Sequence, residues 1–583
     1  MESKLDHLFK DKVLGHPAGL FVLFFTEMWE RFSYYGMRAL LVMFFTASLM
    51  DGGWGWPREH AFAIFGTYTS LVYLSTLLGG YMADKVIGFR WAVVVGALLM
   101  TLGHASMAIE TPFFIYSGLT LLVFGSGFFK PNMTSIISEM YEEKPEKKDG
   151  AYTIFYMGVN SGAFLGILLC GYLGEKVGWS WGFGLAGVFM LFGLLQFWFA
   201  QNIFGDIGLK PENQIEELED ETEDKGEKLN PFTSFQLVLI AIASVLGLAW
   251  VLNDPISKIS EGAYNLFDFS FFGLSGSNFV ILFALALFIL LLVIRIPKYE
   301  KVTRDRMLAV VFFAFITIFF WAIFEQAPSS LTIFARDYTE RVLEGNSALT
   351  FKVVNSLMTV IPLSIITWVL WKLFKRTFSK YALSNILLAT SFVIIWIIAI
   401  WMLYTEYLKD IAEVPASWFG VLNSLYIIAF APLFSKWWES KYNPNANMKY
   451  AIGMVLLGIG MACVAIGSAD IPVGAKTASV SMVWLVLVYF FHTMGELCVS
   501  PVALSYVSKL VPGRMIAMMF GIWYLAVAIG MKLAGVFGEA SEGIAKTEGL
   551  SYFFWLLTAV AVGLGVLSAA LYPVIKKLMH GVR

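Results

Sequence analysis

The chain has 583 residues, 58% of them hydrophobic and only 14% charged, with a formal net charge of −2. A soluble domain carries about one charged residue in four, so a water-soluble globule is excluded. The near-neutral balance also offers nothing to a polyanion such as nucleic acid.

In chain order the first element is a polar stretch, MESKLDHLFKDKVLGHPAG. It lacks a short apolar core followed by a small-residue cleavage site, so no cleaved signal peptide is expected. Apolar runs of about 20 residues, enough to cross roughly 30 Å of hydrocarbon, then recur to the end. They are continuous rather than alternating, which predicts an all-α polytopic membrane protein. The first six expected spans are 20–49, 61–83, 91–109, 113–138, 151–173 and 182–203. Residues 210–230, KPENQIEELEDETEDKGEKLN, are acidic and contain no aromatic residue. They cannot bury a core and read as a mobile cytoplasmic tether. Spans resume at 231–253 and 277–295, followed by 307–334, 351–373, 381–405, 417–438, 449–469, 481–508, 514–538 and 550–577. About sixteen segments result.

Lys and Arg set the expected orientation. Lys4, Lys10 and Lys12 precede the first span, Lys85 and Arg90 follow the second, and Lys144, Lys147 and Lys148 follow the fourth. Lys372, Lys375, Arg376 and Lys380 separate 351–373 from 381–405, whereas alternate loops such as MDGGWGWPREH are nearly free of basic residues. Both termini are therefore expected in the cytoplasm, with the protein in the cell membrane. Cys170, Cys463 and Cys498 fall in apolar runs without paired spacing, and read as packing residues rather than a disulfide or metal set.

The first span breaks the apolar pattern. TEMWERFSYYGMRALL, residues 26–41, places Glu27, Glu30, Arg31 and Arg38 where leucines are expected. On a helix these fall at i, i+3, i+4 and i+11, with Tyr34 at i+7, and form one stripe. Each charge near the bilayer centre costs about 2.5–3.5 kcal/mol on the insertion scale, so the stripe must face a wet cavity and its charges must pair. A cluster that merely glues helices is the plainer reading, but apolar packing does that at less cost. A carboxylate beside an arginine, in a site that opens and closes, changes its proton affinity with the pairing, as a proton coupler requires. Lys130 in GSGFFKPNMTS, Glu325 in FFWAIFEQAPSS and Glu496 in FHTMGELCVSP repeat the theme. Bases in the first half then face acids in the second, a layout suited to bridges that close and open between halves.

EMWERFSYYGMR resembles the E-x-x-E-R-[FY]-x-[FY]-Y-G signature of the proton-dependent oligopeptide transporter family, within the major facilitator superfamily. GGYMADKVIGFR, with Gly80, Asp84, Gly88 and Arg90, resembles the superfamily loop between helices two and three. GFFKPN, FYMGVNSGAFLG, FFWAIFEQ, VLNSLYIIAFAPLF, GELCVSPVALSYVSKLVP and MFGIWYLAVAIG follow in family order, from residue 127 to about 530. The resemblance implies the major facilitator fold and a symporter of di- and tripeptides with protons, working by alternating access. It implies that Glu27, Glu30 and Arg31 couple protons, and that Arg38 and Lys130 attract the peptide carboxylate while Tyr35, Tyr73 and Tyr156 contact peptide. It implies further that Asn160, Asn423 and Glu496 hold the peptide amino terminus, and that Trp321, Trp523 and Ser500 form side-chain pockets and gate. Arg38–Glu325 and Lys130–Glu496 match bridges that form as the halves rock. Opposed acidic and basic poles with aromatic walls suit a zwitterion whose side chains vary, so the site is expected to be promiscuous.

The expected division is 1–204 as a six-helix bundle, 205–230 as the acidic linker, 231–300 as an inserted helical pair, and 301–583 as a second bundle. This last part carries an extra pair at 351–405. Both pairs lack the matched motifs and are expected to serve as scaffold or lipid contact. The family's second-helix histidine in animal members falls at Gly66, so coupling here cannot use it, and His60 reads as a solvated loop residue. Ser424 stands where a proline is expected after Asn423. No phosphate-binding G-x-x-x-x-G-K-[ST] and no H-E-x-x-H occurs, and GAKT at 474–477 is a decoy, which disfavours a pump or a metal hydrolase. No enzyme activity, cofactor or metal is expected. The expected partners are di- or tripeptide, protons and the lipid bilayer, with no nucleic acid and no obligatory protein. Transport of another small anion, nitrate or a modified peptide, on the same fold is the alternative; the intact E-x-x-E-R favours peptides.

Overall fold

Continuous apolar runs leave the backbone no partner but itself in lipid, and helix is the local answer. The structure, a computed structural model, describes residues 6–210, 230–510 and 516–582. Stretch 211–229 of the expected tether lies outside them. The first six helices are α1 Ala18–Thr46, α2 Arg58–Met82, α3 Phe89–Met107, α4 Pro112–Met140, α5 Lys148–Lys176 and α6 Trp179–Ala200. Next come α7 Ser234–Ile259 and α8 Gly276–Arg295, then α9 Lys301–Phe324 and the short α10 Ser330–Asp337. The chain continues with α11 Gly345–Thr377, α12 Ala382–Tyr407, α13 Val421–Glu439, α14 Ala446–Gly467 and α15 Val483–Leu510. It closes with α16 Ile516–Thr547, α17 Leu550–Ala570 and the short α18 Tyr572–Leu578. Among the described residues 15 helices are long and apolar enough to span a bilayer. With α1, 29 residues long but interrupted by charge, they make the expected sixteen.

Local chemistry sets several boundaries. Pro112 opens α4 at a position where its missing N–H costs nothing. Thr233 and Gln236 form a reciprocal capping box at the start of α7. The run expected as one span over 307–334 is broken. Helix α9 stops at Phe324, and Pro328 in the turn that follows has no N–H to carry a helix onward. Gln326 holds that turn: its amide donates to Ala322 O (2.9 Å) and Ala534 O (3.0 Å), and its Oε1 accepts from Ser330 (2.6 Å).

Helices α1–α6 pack on one another, α1 against α5 and α6, α3 against α4 and α6, and α2 against α4. Helices α9 and α13–α17 form the second group, with α14 between α15 and α17, and α16 on α9. Two seams join the groups: α2 crosses α16, and α5 meets α13. The α2–α16 crossing needs glycine. A Cβ on Gly66 would lie 2.9 Å from Gly535 Cα, a distance no side chain allows.

The inserted pairs sit one beside each seam. Helices α7 and α8 pack together, with α7 along α2. Helices α11 and α12 pack together, and α12 lies on α6 while α11 touches α1. The second pair, drawn from the chain's second half, thus backs the first group. Phe392 of α12 meets Phe25 (5.7 Å between ring centres) and Trp29 (5.5 Å) of α1. Antiparallel pairing of Val342–Leu343 with Ala412–Glu413 clips the two ends of this pair together. At its tip Lys380 lies 2.5 Å from Asp11, so the tip shares the end of the molecule from which α1 departs. We call that the near end, and the end where α1 finishes and α2 begins the far end.

Candidate functional site

The stripe on α1 is buried and paired as helical spacing dictates. Arg31 Nε lies 2.8 Å from Glu27 Oε1 and 2.6 Å from Glu30 Oε2, and all three side chains are nearly closed to solvent. A guanidinium Nε carries one hydrogen, and it is donated to Glu27. Glu30 Oε2 and Glu27 Oε2 are buried without a donor of their own. Two carboxylates therefore share one guanidinium, and a proton on one of them would supply the missing donor. Tyr34 lies between the two arginines, its ring centre 5.7 Å from Arg31 and 5.5 Å from Arg38, and Arg38 also covers Tyr35 at 4.9 Å.

One turn further along, Arg38 bridges the halves, 2.7 Å from Glu325. Glu325 occupies the C-terminal cap of α9. A carboxylate there opposes the helix dipole and needs the cation that α1 supplies. Lys130, on α4, stands over the Tyr73 ring of α2 at 4.2 Å. Glu496 of α15 accepts from Asn423 of α13 (2.9 Å), whose amide also donates to Thr493 (3.1 Å). The expected Lys130–Glu496 bridge is not made in this structure; each partner is held by its own half.

The remaining expected residues are more scattered. Asn160 turns its amide onto Tyr156 O of its own helix (2.9 Å), and the Tyr156 side chain is exposed. Trp321 packs edge-on against Phe320 and Phe324. Trp523 is buried, and the Ser500 hydroxyl is buried without a partner. Thr493 and Tyr489, whose hydroxyl donates to Ala327 O (3.3 Å), were not singled out by sequence. Their spacing from Glu496 along α15, three and seven residues, was the available signal.

The far end is sealed between the halves. Arg58 of α2 binds Asp337 (2.7 Å) and Glu542 (3.0 Å), and Arg336 reaches Thr46 of α1 (2.8 Å). Glu175 of α5 accepts from the backbone of Ala416 (2.8 Å) and Ser417 (2.9 Å), just before α13. Beside it Glu413 is held by Lys176 and by Arg341 (3.1 Å). Burial alone would raise the Glu413 carboxyl, but these two cations outweigh it and hold it below its ordinary value.

Comparison with known proteins gives four findings. A family model, PTR2, described as the POT family, matches residues 90–218 and 397–551. "Uncharacterized transporter YclF" of Bacillus subtilis (strain 168) is 30% identical over 576 residues, covering 97% of this chain and 96% of the relative. "Peptide transporter YePEPT" of Yersinia enterocolitica is 30% identical over 577 residues, covering 96% and 93%. The crystal structure of a peptide transporter POT in complex with sulfate superposes with a TM-score of 0.69 at 28% identity, over the whole of both chains.

Proposed function

Because the chain belongs to the POT family, we propose that it is a proton-coupled symporter that imports di- and tripeptides by alternating access. It is a transporter rather than an enzyme, and an integral membrane protein. One observation supports the substrate reading: the bases Arg38 and Lys130 belong to the first group and the acids Glu325 and Glu496 to the second, with Arg38 paired to Glu325 across the halves. A peptide of two or three residues is a zwitterion whose poles match that opposition. Its carboxylate would be drawn to Arg38 and Lys130. Its ammonium group would be drawn to Glu496, aided by Asn423 and Asn160. Tyr35, Tyr73, Tyr156, Trp321, Trp523 and Ser500 would line the space for side chains.

Proton coupling is assigned to Glu27, Glu30 and Arg31, with Glu30 as the carrier, since Arg31 commits its Nε hydrogen to Glu27. Arg38–Glu325 and the contacts at the far end hold one of the two alternating states. Basic residues at the near end favour both termini in the cytoplasm of the cell membrane, which makes the far end extracellular. The test is uptake of a labelled dipeptide into proteoliposomes with and without an inward proton gradient. Accumulation driven by the gradient, and competed by unlabelled dipeptide, supports the assignment. Uptake indifferent to the gradient would remove the coupling, and absence of competition would remove the substrate.

A further inference from the structure

Helix α7 carries just two charged residues, Asp254 and Lys258, one turn apart near its far end. Both charges point across the α2–α16 seam. Asp254 pairs with Lys532 of α16, and Lys258 pairs with Glu539 of α16. Asp254 and Lys258 also pair with each other at 2.6 Å. Lys532 is almost wholly buried, and its ammonium group donates to Thr67 of α2 (2.9 Å). Thr67 in turn donates to the backbone carbonyl of Val251 on α7 (3.1 Å). The Lys532 ammonium lies 5.6 Å from the Trp250 ring centre, so the cluster is walled by α7 itself.

The position of this cluster is what gives it meaning. Lys532 is one turn from Gly535, which touches Gly66 where the two halves cross. Helix α7 packs along α2 and therefore belongs with the first half, while its two charges engage the second. Two acids and two bases leave the cluster neutral. Apolar side chains would hold two helices together at less cost than buried ions, so simple adhesion does not account for the cluster. Buried ion pairs between bodies that separate and rejoin supply something else, namely two discrete states.

We propose that α7 and α8 form a latch on the far gate, with Asp254 and Lys258 as gate-positioning residues that engage Lys532 and Glu539 when the far end is closed. Opening that end draws α2 away from α16, and α7 with it, so the two pairs must part. The latch therefore favours the closed state and sets how readily the site faces the far side. The proposal rests on the alternating-access reading above.

The experiment measures the distance between spin labels at Met50 and Glu548, both exposed at the far end and on opposite halves, in nanodiscs. Cys463, the half-exposed cysteine, is first replaced by serine. Asp254→Asn with Lys258→Gln should raise the population of the longer distance by about tenfold to a hundredfold, the weight of a charge-assisted hydrogen bond. Should the stranded Lys532 prevent folding, Asp254→Leu with Lys532→Met removes the pair without stranding a charge, and should shift the population likewise. Reversing all four charges, Asp254→Lys and Lys258→Asp with Lys532→Asp and Glu539→Lys, keeps every opposite-charge pairing and should restore the closed distance. Folded variants with the wild-type distribution, or an exchange that restores nothing, would overturn the latch. The distance readout does not depend on peptide uptake, so loss of the transport assignment would be seen separately.

Discussion

Arg38 and Glu325 stand 287 positions apart in the chain and 2.7 Å apart in space, and this pair ties α1 of one half to the C-terminal end of α9 in the other. Removing one partner of a buried pair costs about 3–5 kcal/mol, because the other charge is left without compensation. In Glu325→Gln that cost falls on the state in which the pair is made. Counterflow of dipeptide in proteoliposomes should fall at least about tenfold, since one of the two states is disfavoured. Wild-type counterflow in this variant would show that the bridge has no part in the cycle.

Glu30 should separate driving force from binding. An amide keeps the hydrogen-bonding shape of the carboxyl but cannot cycle a proton. Glu30→Gln is expected to abolish gradient-driven accumulation while peptide exchange across the membrane continues. Accumulation at the wild-type level would transfer the proton to another residue, Glu27 first.

Glu496 should discriminate between peptides by their amino termini. Competition by free and N-acetylated dipeptides is compared in wild type and Glu496→Gln. Losing a charge-assisted hydrogen bond, about 1.5–3 kcal/mol, should weaken the free peptides about tenfold to a hundredfold and the acetylated ones little. Equal losses would make Glu496 a gating acid and pass the amino terminus to Asn160 and Asn423.

The far-end cluster around Glu413 should weaken in acid. Its carboxyl is held below the ordinary value by Lys176 and Arg341, against the opposing effect of burial. A depressed carboxyl contributes stability that is complete above its unfolded value and is lost as pH falls through the folded one. The far-end distance between halves should therefore loosen in part below about pH 4, near and under the ordinary carboxylate range. Glu413→Gln should remove that part of the acid response; an identical response in both proteins would assign it elsewhere.

Phe392 provides a test of the second inserted pair. It is buried against Phe25 and Trp29, directly behind the helix that carries Glu27, Glu30 and Arg31. Phe392→Ala should cost about 3–5 kcal/mol of stability, seen as a lower thermal midpoint, with the charge pairs on α1 intact. A midpoint within error of wild type would return this pair to the role of lipid-facing scaffold.

Some of this was legible in the sequence because it is local. Four charges in an apolar run identify the α1 stripe, and helical spacing alone pairs Glu27 with Arg31. The sixteen spans follow from hydropathy, with α1 recognised in spite of its charges. What escaped is long-range or conditional. Asp254 and Lys258 fall just past the expected span 231–253, and nothing near them in sequence announces Lys532 on another helix. The break after Phe324 was masked by the apolar run on both sides, although Pro328 marked it. Nothing in 381–405 tells which half it will lie against, because an apolar face fits any apolar partner. The Lys130–Glu496 bridge expected from the resemblance is not made in the arrangement seen, and a sequence does not specify which arrangement a structure shows.

The two-residue ladder that joins Val342–Leu343 to Ala412–Glu413 brings the entrance and exit of a long helical excursion to adjacent strands. Neighbouring strands are about 5 Å apart, little more than one residue's step along a chain. In connectivity the excursion is thus silent: whatever its length, the chain leaves α10 and re-enters toward α13 at neighbouring points. The ladder is a socket, and the α11–α12 pair is the module now plugged into it. A lineage with such a socket can acquire new membrane-embedded parts without redesigning the machine that carries them, and an engineer can use the same port to mount a reporter where the two halves move.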